Sequence, residues 1–390
     1  MKAKVKTDND YKKTFFFFRP LFKFVAWLKL GFKAKKVVTY DEPILIMCNH
    51  TTDLDFLVVS SLIKNHFYFV SSQHVLGLKV VGKFFEKHFN PIPVFKGTSK
   101  TKEVKEILKR IKKGNNVLIF PEGTCSFNGL SSEITEATAK LAKISGAKLV
   151  TIRIKGGFFI HPRWHKGLNK SKITSAEIVG EYSRDYLKTA DVNEVLSRIQ
   201  KDLYVNAYEY QKEVMQPVKF KRGLTGFTRY YNVCPHCNKT GTLKLEKNTV
   251  YCDCGFKANF DKYGFIKSDQ TNLQTLYEWE THQEKIYGKM YNRGGIIFAD
   301  SEVEFSVLEK AHKKSETVLT DIRVYPDKMI IGKKTFHFNE IDGVSILGGG
   351  SNFLFTVNGV HYSVYKEMKC MSKYASIYNI YKRKTETKEN

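Results

Sequence analysis

Between residues 37 and 216, short runs of apolar residues alternate with stretches in which apolar positions recur every three or four residues. The continuous runs predict buried strands, at PILIMCN, FYFVSS, NNVLIF and AKLVTIRI. The periodic stretches predict helices, and the clearest is TKEVKEILKRIKKG, residues 101–114, where Gly114 supplies the stop. Strands that alternate with helices are typical of an α/β fold with a largely parallel sheet flanked by helices. We therefore predict one such domain over residues 37–216.

The pattern changes after this domain. Pro217 and Gly223 mark a boundary, and residues 217–267 contain a module rich in cysteine. Residues 268–295 predict a polar linker helix. Over residues 296–390 short alternating strands dominate and the last stretch has a helical pattern, which predicts a small, mainly β domain with a C-terminal helix.

The most apolar stretch near the N-terminus, TFFFFRPLFKFVAWLKLGF, spans residues 14–32 and is interrupted by basic residues. A membrane-spanning helix needs about 20 largely uncharged residues, so none is predicted here. A helix beginning near Pro20 would carry on one face Leu21, Phe24, Val25, Leu28 and Phe32. An apolar face with basic flanks is typical of a helix in the membrane interface, so residues 1–36 are predicted to form a basic amphipathic segment of that kind. The alternative is a helix docked on the protein's own core.

The charge of the chain narrows its expected partners. Its 390 residues include 64 Lys or Arg against 39 Asp or Glu, a formal net charge of +25. Such a surface attracts polyanions, either nucleic acid or an anionic membrane face. Of the seven cysteines, four fall within 21 residues and three are scattered singly, which is not the pattern of a disulfide framework. No signal peptide is evident either, and both observations indicate a reducing compartment. Together with the N-terminal segment, this predicts a peripheral protein on the cytoplasmic face of a membrane.

Two polar blocks follow predicted strands: NHTTDLD, residues 49–55, and FPEGT, residues 120–124. In open α/β sheets ligands bind beyond the carboxyl ends of the strands, so both blocks fall where a site is expected. A histidine with a carboxylate partner can act as general base toward a hydroxyl, and the helix predicted after His50 would bring Asp55 back to it. Asp53 is interpreted as a first-turn acid that complements the helix dipole.

In order, spacing and strand context, the two blocks resemble those of the glycerophospholipid acyltransferase family, best known from lysophosphatidic acid (1-acylglycerol-3-phosphate) acyltransferases. The resemblance covers residues 20–215 and makes the α/β domain an acyltransferase domain. It implies that His50 is the general base on the acceptor hydroxyl, that Asp55 orients it, and that a lysophosphatidic-acid-like acceptor is bound by Glu122, Gly123 and Thr124. It also implies a fatty acyl thioester of coenzyme A or acyl carrier protein as donor, and a role in phospholipid biosynthesis.

The chain departs from the family pattern at three positions. Lys96 stands where an arginine grips the acceptor phosphate, and lysine supplies the charge without the bidentate fork. Cys125 replaces an arginine that often follows FPEGT, and Thr151 replaces a proline of the last strand. None of these departures affects the expectation of acyl transfer, but they leave the identity of the acceptor open. Cys125 is interpreted as a packing residue, because no base other than His50 is assigned near it, and Arg163 lies either near the site or in a surface loop.

The cysteine module reads CPHCNKTGTLKLEKNTVYCDCG, in which fourteen residues separate two pairs of cysteines. Thiolates at such spacing on two tight turns form a tetrahedral zinc site, which predicts structural zinc held by Cys234, Cys237, Cys252 and Cys254. The segment resembles a zinc ribbon, and it has too few apolar residues for a core of its own. His236 could replace one thiol, and the alternatives are reduced free cysteines or an iron–sulfur site.

Zinc ribbons often bind nucleic acid, which defines the rival hypothesis. In it the chain is a basic zinc-ribbon protein that binds nucleic acid or lipid and carries a degenerate acyltransferase domain. The intact His50, Asp55 and Glu122 favour the enzyme, and a basic membrane-binding face explains the charge as well. The expected partners are an anionic membrane surface, a lysophospholipid acceptor and a thioester of coenzyme A or acyl carrier protein, and nucleic acid is not expected.

Overall fold

The computed structural model describes residues 6–72, 76, 80–94, 101–308 and 314–389. These residues form two compact units. The first is built mainly from the chain up to Lys219. The second is built mainly from Phe220 onward, and Trp164–Gly167 belong to it as well. Each unit contains its own sheet structure and its own apolar core.

A sheet of six strands, counted over the described residues, forms the centre of the first unit. Its strands are β1 (Ile44–Cys48), β2 (Phe67–Ser72), β3 (Ile92–Val94), β4 (Asn116–Ile119), β5 (Lys148–Lys155) and β6 (Ser175–Tyr182). They lie in the order β3-β2-β4-β1-β5-β6, and every neighbouring pair is parallel except β5 and β6. The predicted largely parallel α/β sheet is confirmed. The sequence pattern does not predict β6, because none of its residues is fully buried and it has no continuous apolar run.

Helices surround this sheet. They are α1 (Asp8–Leu30), α2 (Asp55–Leu62), α3 (Val81–Phe89), α4 (Thr101–Lys112), α5 (Glu136–Ile144), α6 (Gly157–Ile160), α7 (Arg184–Thr189), α8 (Val192–Leu203) and α9 (Ala207–Val214). The sequence has one continuous helical pattern over residues 191–215, which predicts a single helix, but the structure divides it into α8 and α9. The division occurs because Tyr204 is extended and Asn206 caps α9, accepting the amide N–H groups of Tyr208 and Glu209.

One apolar cluster joins the sheet to α4, α5 and α8. Leu45 and Met47 of β1 contribute to it together, because alternate side chains of a strand point to the same face. Ile107 and Ile111 of α4 contribute one turn apart, as the helical periodicity predicts. Burying one such side chain fully contributes about 1.5–3 kcal/mol. The cluster therefore fixes the strand β1 from whose carboxyl end the NHTTDLD block leaves.

Helix α1 begins at Asp8 and not near Pro20, so the predicted start is wrong. Thr7 and Asp10 form a capping box at its N-terminus: the Thr7 hydroxyl accepts the Asp10 amide N–H, and the Asp10 carboxylate accepts the Thr7 amide N–H. Pro20 lies inside the helix.

The two sides of α1 differ in exposure. The inner side packs on the first unit and buries Phe15, Phe22, Ala26 and Leu30. The opposite side, called here the outer face, leaves six large apolar side chains exposed: Phe16, Phe17, Leu21, Phe24, Trp27 and Leu28. Phe32, which the pattern placed with three of these residues, is buried beyond the end of the helix. Among the described residues, no helix combines the length and apolar character needed to cross a bilayer.

The second unit contains two antiparallel sheets among its described residues. The small one consists of β7 (Leu243–Glu246), β8 (Thr249–Cys252), β9 (Lys257–Phe260) and β10 (Ile266–Lys267). Helix α10 (Leu276–Arg293) follows it. The large one has the order β14-β13-β12-β11-β17-β16-β15, built from β11 (Phe298–Leu308), β12 (Lys314–Val324), β13 (Lys328–Ile331), β14 (Lys334–His337), β15 (Ile341–Leu347), β16 (Asn352–Val357) and β17 (Val360–Tyr365). Helix α11 (Ser372–Glu389) ends the chain, so the predicted β domain with a C-terminal helix is confirmed.

Candidate active site

The NHTTDLD block leaves the carboxyl end of β1 and is fixed there by Asn49. The buried side-chain amide of Asn49 donates to the Ile154 carbonyl at 2.8 Å, and its oxygen accepts the Ile154 amide N–H at 2.7 Å. These two bonds tie the block to the neighbouring strand β5 in the way a backbone ladder would. The next residue, His50, therefore has a fixed main chain before it.

Asp55 is the first residue of α2 and is only 1% exposed. Its Oδ2 atom accepts hydrogen bonds from His50 Nδ1–H at 2.9 Å and from the amide N–H groups of Thr51 and Thr52 at 2.6 and 2.9 Å. Its Oδ1 atom accepts the hydroxyl groups of the same two threonines, each at 2.9 Å. The start of a helix also favours a negative charge. These donors hold the carboxylate in one position, and the carboxylate in turn fixes the imidazole ring and its tautomer.

The imidazole of His50 stacks on Phe120, with ring centroids 4.3 Å apart, and the side chain is 18% exposed. Burial alone would lower the pKa of His50, but the Cys125 sulfur and the Asp55 carboxylate act in the opposite direction, and the pKa lies well above its ordinary value. Burial raises the pKa of the Cys125 thiol, so the thiol stays neutral and adds no negative charge beside His50. We therefore attribute the raised pKa of His50 to the Asp55 carboxylate. Nδ1 is engaged by Asp55, so Nε2 is the nitrogen left for proton transfer.

Glu122 joins the two polar blocks. Its Oε1 atom accepts the amide N–H of His50 at 2.8 Å, and its Oε2 atom accepts that of Ser132 at 2.6 Å. Burial raises the pKa of Glu122 to about 7, although the two backbone hydrogen bonds and the charge of His50 act to lower it. Glu122, which is expected to contact the acceptor, therefore also holds the main chain of His50, the expected base.

The other residues expected to bind the acceptor differ in what the structure shows of them. Gly123 has a φ of 71°, and no atom lies within 4 Å of the position that a Cβ would occupy. A side chain at this position would be strained by the left-handed backbone and not by a neighbour. The Thr124 hydroxyl is buried and has no hydrogen-bond partner among the described residues. Lys96 lies outside the described residues.

Three residues that are far apart in the sequence meet beside His50. Arg163 Nη1 contacts both carboxylate oxygens of Asp53, at 2.9 and 3.0 Å. The Cys125 thiol donates to Asp53 Oδ1 at 3.6 Å, and Cys125 Sγ, a carboxylate oxygen of Asp53 and a ring nitrogen of His50 lie within 4.8 Å of one another. Asp53 precedes α2 and pairs with Arg163, so its interpretation as a first-turn acid is wrong. Arg163 lies near the site and not in an unconnected surface loop.

Charge compensation keeps Asp53 ionised. Burial acts to raise the pKa of Asp53, but the charges of Arg163 and His50 outweigh it, and the pKa lies below its ordinary value. The same pairing raises the pKa of Arg163 against the effect of burial. Arg163 and Asp53 therefore form a charged pair through Nη1 of the guanidinium group.

A pocket opens beside His50 in the first unit. Its polar lining comes from Asn49, Thr51, Glu122, Ser126 and Ser131, and its apolar lining includes Leu130, Phe158 and Val205. Hydroxyl and amide groups next to an oriented histidine suit a substrate whose own hydroxyl is to be deprotonated. None of the described residues that line the pocket is a Lys or Arg.

The four predicted zinc ligands converge in the second unit. The Sγ atoms of Cys234 and Cys254 are 3.7 Å apart, those of Cys237 and Cys252 are 3.9 Å apart, and all four lie within 4.8 Å of one another. Four thiolates bound at about 2.3 Å to one tetrahedral zinc ion would lie about 3.8 Å from each other, so the spacing fits this metal. His236 is not part of this group of possible ligands in the described residues.

Comparison with known proteins finds similarity to acyltransferases. Residues 29–155 match the family model described as Acyltransferase. The 1-acyl-sn-glycerol-3-phosphate acyltransferase LPAT1, chloroplastic, of Arabidopsis thaliana is 27% identical over 129 residues, which are 33% of this chain and 36% of the relative. The match therefore spans little more than a third of that relative's length. Among solved structures, the 1-acyl-sn-glycerophosphate (LPA) acyltransferase PlsC from Thermotoga maritima has a TM-score of 0.36 and 14% identity, covering 52% of this chain and 94% of that chain. This TM-score is too low to establish a shared fold.

Both polar blocks lie inside the residues that match the acyltransferase family. This part of the chain is thus similar to acyltransferases, in line with the resemblance that its two polar blocks show. The match ends before the cysteine module and does not identify the acceptor. The zinc ligands, the acceptor and the acyl donor stay predictions.

Proposed function

We propose that this protein transfers a fatty acyl chain from an acyl thioester to the hydroxyl group of a lysophosphatidic-acid-like acceptor at a membrane surface, as a step of phospholipid biosynthesis. The observation that carries the proposal is the hydrogen bond of 2.9 Å between His50 Nδ1 and the buried Asp55 carboxylate. It lies within the residues that match the acyltransferase family and beside a pocket with polar lining. The name of the Arabidopsis relative, a 1-acyl-sn-glycerol-3-phosphate acyltransferase, supports the acceptor class.

The reaction on the acceptor begins with its hydroxyl group in this pocket. His50 Nε2 takes the hydroxyl proton while the oxygen attacks a thioester carbonyl, and Asp55 stabilises the imidazolium that forms. The tetrahedral intermediate collapses and expels the thiolate, which recovers the proton from His50. Asp55 needs no movement in these steps, because Thr51 and Thr52 already hold it. A positioned base of this kind contributes roughly 10²–10⁴-fold to the rate.

The acceptor is proposed to lie between the two polar blocks. Glu122, Gly123 and Thr124 would contact its glycerol part, and the unsatisfied Thr124 hydroxyl supports a contact there. Lys96 would supply the positive charge for its phosphate, since no Lys or Arg is among the described residues that line the pocket. The donor would be a thioester of coenzyme A or acyl carrier protein.

A transfer assay with a labelled acyl thioester and a panel of lysolipids tests the proposal. His50→Ala should abolish transfer and leave the fold intact, because no other described side chain is placed to deprotonate the acceptor. His337→Ala, at an exposed histidine of β14 in the second unit, is the matched control and should keep full activity. Near-wild-type turnover by His50→Ala would end the proposal.

Membrane attachment is proposed to use the outer face of α1. Phe17 on this face is 78% exposed, and Lys13, Lys23 and Lys29 of the same helix are exposed as well. An apolar helix face sinks into the headgroup region of a bilayer, while basic flanks contact anionic lipids. The inner side of the helix packs on the first unit, so the helix would hold the acyltransferase domain at the lipid surface. These features support a peripheral protein at the cytoplasmic face of a membrane.

A structural zinc ion is proposed for the four cysteines of the second unit. The sulfur spacings of 3.7 and 3.9 Å support tetrahedral coordination by protein thiolates alone. With all four positions filled, no site remains for water or substrate, so the metal would stabilise the zinc ribbon and take no part in acyl transfer.

A further inference from the structure

We propose that Arg163 is a positioning residue of the candidate active site. It holds the Asp53 carboxylate in a charged pair, so that Asp55 is the only carboxylate of the NHTTDLD block that pairs with His50. The inference rests on the proposed function, since it concerns the base of that reaction. Arg163 is not among the described residues that line the pocket, so it would act on His50 through Asp53 and not on the substrate.

The NHTTDLD block places two carboxylates within reach of the same imidazole. Asp55 Oδ2 accepts the Nδ1–H of His50 at 2.9 Å, whereas a carboxylate oxygen of Asp53 lies within 4.8 Å of a ring nitrogen of His50. A negative charge at such a distance stabilises a protonated imidazole. A protonated imidazole cannot accept the proton of the acceptor hydroxyl. An Asp53 carboxylate without a counter-ion would therefore keep the base in its inactive form up to a higher pH.

The two carboxylates are held in different ways. Asp55 is buried and accepts four hydrogen bonds from the two threonines of the block, which fix its position. The side chain of Asp53 is 46% exposed. In the described hydrogen-bond network its carboxylate contacts the neutral Cys125 thiol at 3.6 Å and the guanidinium of Arg163. The guanidinium is therefore the charged group that holds Asp53 in place.

A single nitrogen of Arg163 makes the pair. Its Nη1 atom lies 2.9 and 3.0 Å from the two carboxylate oxygens of Asp53. A guanidinium group cannot lose its proton in a protein, so the pair is present at every pH at which Asp53 is ionised. Of the charges that act on Asp53, that of Arg163 lowers the pKa of this carboxyl most, ahead of those of His50 and His161. The pair as a whole therefore adds almost no net charge beside His50.

The titratable and charged groups around His50 come from three segments of the chain. They are Asp53 and Asp55 in its own block, Glu122 and Cys125 in the second polar block, and His161 and Arg163 in the segment after α6. Among these groups of the described chain, Arg163 is the one with a fixed positive charge. Replacing it leaves Asp53 uncompensated, while Asp55 and Glu122 keep the hydrogen bonds that hold them.

Arg163→Gln tests this balance in the full chain. We expect the pKa of His50 to rise by about one pH unit at low salt, and the acid limb of the transfer rate to move to higher pH by the same amount. Nuclear magnetic resonance follows the ring signal of His50 without any substrate, and the loss of this signal in His50→Ala assigns it. Because Asp53 is partly exposed, water can solvate its carboxylate in the variant, so the fold should persist and added salt should reduce the shift.

Three further variants separate this electrostatic role from a purely structural one. Arg163→Lys should titrate like the wild type, because one nitrogen suffices for both contacts of the pair. The double variant Arg163→Gln with Asp53→Asn leaves no charge uncompensated, so the pKa of His50 should return close to its wild-type value, whereas lost packing would not be repaired. Arg184→Gln is the matched control: it removes an ion pair of 3.2 Å with Glu42, which precedes the opposite end of β1, and should leave the titration unchanged.

Asp53→Asn alone should lower the pKa of His50, since the charge of Arg163 is then uncompensated, and this arm does not depend on the folding of Arg163→Gln. The inference is overturned by a wild-type titration of His50 in either single variant, or by a shift in Arg163→Gln that persists in the double variant. Acyl transfer is judged separately. The expected shifts without transfer to any lysolipid would uphold the role of Arg163 and remove the proposed function, and transfer without these shifts would do the reverse.

Discussion

Replacing Asp55 by asparagine removes a charge with almost no change in shape. An asparagine would keep its carbonyl oxygen at the Oδ2 position, where the amide N–H groups of Thr51 and Thr52 cannot turn away. Its NH₂ group would then face the hydroxyl groups of the same threonines, which can rotate to accept hydrogen bonds. The fold should survive, with the free energy of unfolding reduced by about 1–3 kcal/mol because charge-assisted bonds become neutral ones.

The acyl transfer rate should fall far more than the stability. His50 would keep its position and its Nδ1–H tautomer, but it would lose the negative charge that stabilises the imidazolium. Comparable carboxylate–histidine pairs predict a loss of roughly 10²–10⁴-fold in kcat. Such a loss corresponds to about 3–5 kcal/mol of transition-state stabilisation.

The dependence of the rate on pH gives a second readout of the same variant. His50 has to be neutral to accept a proton, so activity should rise as the pH rises through its raised pKa. The Asp55 carboxylate is a cause of that raised pKa, and burial acts in the opposite direction. In Asp55→Asn the pKa of His50 should therefore fall, moving the acid limb of the profile to lower pH while the plateau drops.

Initial rates from acidic to alkaline pH measure both effects, and circular dichroism verifies the fold of the variant. Asp53→Asn is a useful comparison, because Asp53 lies in the same block but pairs with Arg163 and makes no hydrogen bond to His50 among those described. A folded Asp55→Asn protein with a wild-type plateau and an unmoved acid limb would refute the assignment of His50 and Asp55.

The remaining predictions concern the acceptor, the membrane and the metal. Lys96→Ala should raise KM for a phosphate-bearing acceptor far more than for a phosphate-free one, and an equal effect on both would remove Lys96 from the phosphate contact. Phe24→Glu on the outer face of α1 should weaken flotation with anionic vesicles, and Tyr204→Glu, at an equally exposed side chain elsewhere, should not. Raising the salt concentration should weaken the wild-type interaction, since each contributing Lys or Arg adds about 1 kcal/mol; binding insensitive to both changes would contradict the interfacial role. Cys252→Ser should lower the zinc content from one ion per chain and lower the unfolding temperature of the second unit while sparing kcat, whereas a wild-type protein that shows no zinc–sulfur scattering would remove the ribbon assignment.

The strands of the first unit show which sequence patterns are informative. Continuous apolar runs predict β1, β2, β4 and β5, because strands covered on both faces read as uninterrupted apolar segments. The edge strand β6 has only partly buried and exposed residues, so its sequence does not stand out from a loop. The start of α1 was hidden for another reason: its first turns are largely polar, and Pro20 resembles the first residue of a helix.

The site divides in a similar way between local and distant contacts. His50 and Asp55 could be predicted as a pair because a helix start lies between them, and the relation is local. Arg163 meets Asp53 across 110 residues of sequence, and no spacing pattern encodes that contact. Main-chain donors are equally invisible in a sequence, so the bond from the Ser132 amide to Glu122 could not be predicted either. Asp53 could therefore be interpreted only from its local position, as a first-turn acid.

The two hydrogen bonds of Glu122 have a consequence for attempts to change the substrate that the proposed active site accepts. One oxygen of the Glu122 carboxylate accepts the amide N–H of His50, and the other accepts that of Ser132. The same side chain therefore fixes the main chain at both residues. Replacing Glu122 by a smaller residue to widen the pocket would therefore also remove the hydrogen bond that positions the main chain of His50. Leu130 and Val205 line the same pocket and make no side-chain hydrogen bond to His50, which makes them the safer sites for a directed-evolution library.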